Sequence, residues 1–347
     1  MIKFLKRICF ILLTVLSACG GTTNNEIPDH VPDAKEAGVK SLNITIQRFE
    51  KDLFAIKKET FQADTHRLFE KYGTLLTLFS VRVIKTGSPQ IPQFRENLLG
   101  FLNDPTIREV YTEVEKKFTD ISSLSTGMNE ALNRFHILFP DSVVPAVYTV
   151  VTGFNYNIVT ADSSIGIGLD MYLGEKSKYY VYLGLPEYKV KNMRQDMIVP
   201  DAVRGMLLSS FEMKSDREDL ITFMIYHGKI IYLAQQLLLN EKEERLLGYT
   251  ADEINWCKRD EGKIWAHFVD KKLFYSNDFK DQINYINDGP FTPGFQEESP
   301  ARLGVWLGLQ IVKSYMAKNQ GADLRQLILN QDAHEIFNKS GYKPIRL

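Results

Sequence analysis

The chain has 347 residues, with 42 lysines and arginines against 43 aspartates and glutamates and a formal charge of −1. That balance excludes nucleic acid and any broad charge-driven partner. Three cysteines are too few for a disulfide framework, so a fold outside the cytoplasm must be held by its apolar core.

In chain order, residues 1–18 read as a lipoprotein signal peptide. Lys3, Lys6 and Arg7 form a positive start, and "ICFILLTVL" (8–16) is an apolar run too short to span a bilayer. "LSAC" (16–19) places small residues just before a cysteine, the lipobox pattern in which the thiol of Cys19 takes the lipid. Each buried methylene contributes about 0.8 kcal/mol, so several acyl chains hold a protein on a bilayer almost irreversibly. No later run approaches the roughly 18 apolar residues of a transmembrane helix, and the expectation is an anchored protein rather than a spanning one. Residues 19–41 are rich in Gly, Asn, Thr and Pro and read as a flexible tether. The folded domain is expected over 42–347. With Cys9 removed and Cys19 acylated, Cys257 is the single free thiol.

"LNITIQRF" (42–49) alternates Leu42, Ile44 and Ile46 with polar neighbours, the period of a half-buried strand. Helical patterns follow over 63–79, 92–101, 105–118 and 127–139. The middle changes character: 143–153, 155–161 and 164–174 are β-branched and aromatic, broken by Gly and Asn, and predict three strands of a small sheet. Helices then return. Pro200 opens one at its first position, Ser215 and Glu218 form a capping box that starts the next at Asp216, and Thr250 with Glu253 forms another that opens a helix running through "INWCKRDEGKIWAHFVDKKLF". A last long helix begins at Ser299-Pro300. Helices, a short sheet and helices again, without βα alternation, predict an α+β domain that is mostly helical.

The segment that poses the chemical question is "MIYHGKIIYLAQQLL" (224–238). Leu220, Met224, His227, Ile231, Ala234 and Leu238 recur at spacings of three and four, so His227 lies in an apolar stripe. A zinc-protease helix needs H-E-x-x-H, two histidines one turn apart with a glutamate base after the first. Here Gly228 stands at the base position and Ile231 at the second ligand. Lys229 points away from His227 and cannot replace the base. The ordinary zinc mechanism therefore cannot run from this helix, and the expectation is a neutral histidine hydrogen-bonded to a backbone group or a carboxylate.

Other segments offer little chemistry. His267 and Glu261 fall on nearly opposite sides of their helix, and His66, His136 and His334 stand alone. Cys257 reads as a small packed residue, although Lys258 and Arg259 beside it could lower its pKa. "GIGLD" (166–170) lacks the helix start that a phosphate loop needs. Gly304 and Gly308 predict a close helix crossing, with Trp306 on another face. The aromatics Tyr148, Phe154, Tyr156, Tyr172, Tyr179, Tyr180 and Tyr182 read as packing before they read as a ligand platform.

Several segments together resemble the gliding-motility lipoprotein family GldB of Bacteroidetes. They are "LDMYLG" (169–174), "LPEYK" (185–189), "MIYHGKIIY" (224–232), "GYTADEINWC" (248–257), "IWAHF" (264–268), "ESPARLGVWLGLQIVKSYM" (298–316) and "IFNKSGYKP" (336–344). That family is in turn similar to predicted zincin-like peptidases, so the resemblance implies a zincin-like single domain whose motif is degenerate at His227, Gly228 and Ile231. It also implies a non-catalytic, outer-membrane, periplasm-facing lipoprotein that binds protein partners in envelope machinery of the gliding or type IX secretion kind, with no metal or other cofactor. Two alternatives stay open. One is a divergent metallohydrolase using His227 with Glu212 or Glu261, and the other is a peptide- or glycan-binding module that uses the remnant cleft.

Overall fold

Four short strands make the sheet on which the N-terminal half is built. In the computed structural model, which describes residues 31–161, 163–319 and 321–344, β1 (Ile46–Arg48), β2 (Ala146–Val150), β3 (Ile158–Ala161) and β4 (Ser164–Gly168) stand in the order β1-β2-β4-β3. β1 and β4 run parallel to β2, with Gln47 opposite Tyr148 and Tyr148 opposite Gly166, and β3 closes the edge antiparallel to β4. A parallel neighbour needs a long crossover; the helices between residues 49 and 145 supply it. The sequence predicts three strands for the middle segments, and the sheet gains its fourth from "LNITIQRF".

The fold is α+β and mostly helical, as its periodicities predict. The signal peptide, Cys19 and residues 20–30 lie outside the described residues. Packing reaches upstream of the expected start at Leu42. Val31 and Ala34 are buried, and the Ser41 hydroxyl donates to Asn133 Oδ1 at 3.2 Å, so the end of the segment read as tether is tied to a helix of the domain. Among the described residues no helix is long and apolar enough to cross a membrane.

Helix boundaries show where local signals mislead. The Thr250–Glu253 capping box forms as read, with both reciprocal bonds present. Its helix stops at Arg259, however, and a second one, Glu261–Asp270, restarts after Asp260. Ser215 and Glu218 do not cap the helix that carries His227. That helix is Leu220–Leu237, and its cap is Asp219, whose carboxylate accepts from the N–H and hydroxyl of Thr222. Asp219 wins because its other oxygen is held at 2.6 Å by His334 from the C-terminal end of the chain, a partner that local sequence cannot show. Pro200 sits third in its helix, Ile198–Ser210, still within the first turn where a missing N–H is harmless. The last long helix, Leu303–Lys318, starts after Arg302, which adopts a left-handed backbone (φ 60°).

"GIGLD" is a packing device. Gly166 and Gly168 lie in β4, and a side chain at Gly168 would run into the carbonyl of Tyr156. Asp170 follows, fully buried, and accepts from the N–H groups of Thr152 at 2.9 Å and Phe154 at 2.6 Å and from the Thr152 hydroxyl. Those amides belong to a turn held open by positive φ at Gly153 and Phe154, and Asp170 fills the turn. Burial pushes the Asp170 carboxyl up despite these bonds. Tyr172, Tyr179 and Tyr180 are buried beside it, whereas Tyr156 and Tyr182 are exposed.

The C-terminal half is organised by the two longest apolar helices, Leu220–Leu237 and Leu303–Lys318, here the histidine and glycine helices. They cross with backbones in contact. A Cβ on Gly228 would sit 2.5 Å from the carbonyl carbon of Gly308, and one on Gly308 would run into the Met224 carbonyl. Gly304 turns elsewhere, toward the Tyr285 carbonyl, so the two glycines of G-x-x-x-G serve two different neighbours. The crossing lets Ile225, Ile231, Leu307 and Ile311 bury almost completely, each contributing about 1.5–3 kcal/mol relative to an exposed side chain.

Gly308→Ala should therefore cost at least about 3 kcal/mol of stability, because rigid backbone blocks the added methyl. Gly100→Ala, on an exposed helix position with open space around it, should gain about 0.5–1 kcal/mol. Denaturant midpoints measure both, and equal effects would sink the close-contact account.

Candidate functional site

His227 projects beside this crossing, and its surroundings are basic. The residue is partly exposed, its ring lies edge-on to Tyr226 with centroids 5.0 Å apart, and among the described residues it makes no hydrogen bond. The expected backbone or carboxylate partner is missing; the charged groups whose field reaches the ring are the guanidiniums of Arg302 and Arg204, each with a carboxylate of its own, Asp288 at 3.9 Å and Asp201 at 2.7 Å. Burial first, and then Arg302 and Arg204, push the imidazole down to about 4, so His227 is neutral at physiological pH.

The two arginines are fixed by the chain around them. Arg204 donates to Asp201 Oδ1 at 2.7 Å and to the Leu246 carbonyl at 3.2 Å, and the other oxygen of Asp201 accepts from the buried Tyr172 hydroxyl at 2.9 Å. Arg302 donates to the Leu247 carbonyl and stacks over Tyr249, 5.9 Å from the ring centre. Tyr249 returns a bond to the Ala301 carbonyl at 2.7 Å. Leu246 and Leu247 end the short helix Glu243–Leu247, which turns out through Gly248 at φ 67°. Its free carbonyls face two cations, the favourable arrangement for a helix C-terminus. Sequence reading missed this assembly. The signal available was Arg302 in "SPARLG", on the resemblance segment and next to a glycine-marked helix.

The remaining predicted residues are placed as follows. Gly228 is filled by the Gly308 backbone. Ile231 is 2 % exposed and packs in the core. Lys229 is buried and donates to the carbonyls of Asn330 at 2.6 Å and Ile328 at 3.3 Å, with burial pushing its amine down to about 8. Glu261 accepts from the Tyr342 hydroxyl, and Glu212 is exposed; neither is bonded to His227 among the described residues. His267 shares a hydrogen bond of 2.9 Å with Tyr285. His334, which reads as solitary, holds Asp219. Cys257 is fully buried, and burial with nearby Glu253, Glu243 and Asp260 raises its pKa, the reverse of the lowering that Lys258 and Arg259 suggest. Among the described residues no three His, Cys, Asp or Glu side chains are grouped to hold a metal ion.

In chemical terms this is a neutral imidazole in the field of two ion-paired arginines, next to a glycine packed against the Gly308 backbone.

The sequence model of one family, described as gliding motility protein GldB, matches residues 30–344, and the chain belongs to that family. No curated protein and no solved structure matches it.

The depressed histidine has a pH signature. Between pH 6.5 and about 4 the unfolded chain carries a proton on His227 that the folded chain refuses, so its contribution to stability is complete above 6.5 and is lost as pH falls through that window. The loss should reach about 3 kcal/mol by pH 4. His227→Gln should flatten this part of the profile, measured as unfolding midpoints at several pH values; an unchanged slope would show that His227 is not the titrating group.

Proposed function

Taking membership of the gliding-motility GldB family as the premise, we propose that the chain is a non-catalytic, lipid-anchored component of cell-envelope machinery of the gliding or type IX secretion kind. It works by binding and assembly, from the periplasmic face of the outer membrane, with Cys19 carrying the lipid. The observation that carries the non-catalytic reading is the backbone contact of Gly228 with Gly308, which occupies the place where a zincin-like helix needs its glutamate. Descent from a zincin-like peptidase belongs to the same proposal. In that history the first ligand persists as a neutral side chain, and the helix pair is retained for its packing.

A bacterial strain lacking the gene tests the reading. Chains carrying His227→Gln should restore motility or cargo secretion fully, and Cys19→Ala should not. Metal analysis of the purified chain is the counter-test: zinc at one equivalent, lost on His227→Ala, would replace the assembly reading with that of a metallohydrolase.

A further inference from the structure

The short helix Lys178–Tyr182 ends in an apolar tip that points into solvent. Val181, Tyr182 and Leu183 are consecutive and are 76 %, 80 % and 51 % exposed. They are braced from beneath. Tyr180 is buried; its hydroxyl accepts from the Leu173 N–H at 2.8 Å and donates to the Asp170 carbonyl at 2.9 Å. Tyr179, also buried, packs on Phe154 with ring centres 5.7 Å apart. The two tyrosines thus fill the inward face of this single turn, and the next residues face outward. The chain then reverses tightly around Gly184 at φ 62°. The Gly184 N–H donates to the Val181 carbonyl and the Leu185 N–H to that of Tyr180, each at 3.0 Å. The result is a hydrogen-bonded, convex projection with three uncharged side chains at its end.

Charge around the tip is largely paired. Lys178 holds Glu109 at 2.5 Å, Lys191 holds Glu253 at 2.6 Å, and Arg194 lies 3.5 Å from Glu175. Lys176, Lys189 and Glu187 are exposed and form no ion pair among the described residues, which leaves one net positive charge. An apolar medium is therefore what the tip stands to gain from. The tether identifies that medium. Cys19, the residue read as lipidated, stands twelve positions before Val31, which is buried in the domain, and a stretch of that length spans at most about 40 Å. A domain of this size is about 50 Å across, so a lipid on Cys19 brings most of its surface within reach of the bilayer, at high effective concentration.

We propose that Val181, Tyr182 and Leu183 insert into the headgroup boundary of the bilayer that holds the Cys19 lipid. This second contact fixes how the domain stands on the membrane. The inference rests on the reading of the chain as lipid-anchored and adds the face that meets the lipid. A fluid bilayer accepts a convex tip without a shape-matched pocket. A tyrosine between two aliphatic side chains suits a boundary that is apolar on one side and wet on the other.

The test uses the full, lipidated chain in vesicles of phosphatidylethanolamine and phosphatidylglycerol, with a nitroxide on a fraction of the acyl chains. Cys257 is fully buried and burial raises its thiol pKa, so Tyr182→Cys can be labelled selectively with a fluorophore. Nitroxide lipid should quench that label about threefold or more, as for a side chain at the headgroup and acyl boundary. A label on Val143→Cys or Phe279→Cys, each at a position 71 % exposed, should not be quenched. Adding Val181→Asp and Leu183→Asp to the labelled chain should abolish the quenching while leaving the fold intact, because both side chains lie in solvent. Equal quenching at all three positions, or quenching that survives the two aspartates, would overturn the inference. An absence of quenching at position 182 would also overturn it and leave the tip to a protein partner. The mass of Cys19 in the same sample separates this inference from the reading beneath it. With Cys19 acylated and no quenching, the insertion falls and the anchor stands; with Cys19 unmodified, the anchored reading falls and the insertion with it.

Discussion

The contact between Gly228 and Gly308 is the constraint on which the C-terminal half depends. Two apolar helices can approach with backbones touching only where neither carries a side chain, and each glycine meets main-chain atoms of the other helix. The approach fixes the depth at which Ile225, Ile231, Leu307 and Ile311 interlock. It also fixes the start of the glycine helix, so that Arg302 reaches back over Tyr249 in a strained left-handed conformation. Strain of this kind costs on the order of 1–3 kcal/mol and persists only where surrounding structure over-determines it.

Basic side chains then share one task. Arg134 ends on the Leu237 carbonyl, Arg204 and Arg302 on Leu246 and Leu247, and Lys229 on Ile328 and Asn330. Each of these carbonyls is at or just past a helix C-terminus, where backbone acceptors lack intrahelical partners. The protein thus joins helix ends to neighbouring helices by cations, and His227 stands among two of them. Its neutrality follows from burial first and from those two cations second. Buried carboxylates have the complementary role: Asp170 closes the Thr152–Phe154 turn, and Asp219 caps the histidine helix while binding His334.

Much of this was legible in the residues. Alternation marked β1, β-branched clusters marked the other strands, and the Thr250–Glu253 box marked a helix start, because each is a short-range signal read within one turn or one strand. The segments shared with the family, and the departure from H-E-x-x-H at Gly228 and Ile231, were equally visible. Ser215 was misread as a cap because Asp219 is selected by His334, more than a hundred residues away. The partner of His227 was misjudged because a hydrogen bond was expected at a ring whose charged neighbours are Arg204, within one helix, and Arg302, just before another. Asp170 went unnoticed because its donors are backbone amides, which carry no residue code.

By itself, then, the sequence determined the fold class, the family and that Gly228 and Ile231 stand where H-E-x-x-H has its glutamate and second histidine, since those are matters of residue type and period. Only the tertiary structure decided why Gly228 is a glycine and that His227 is held neutral, by burial first and then by Arg302 and Arg204. The reason is physical. Backbone-to-backbone approach and the field of distant guanidiniums arise between segments remote in the chain, and no local pattern encodes them.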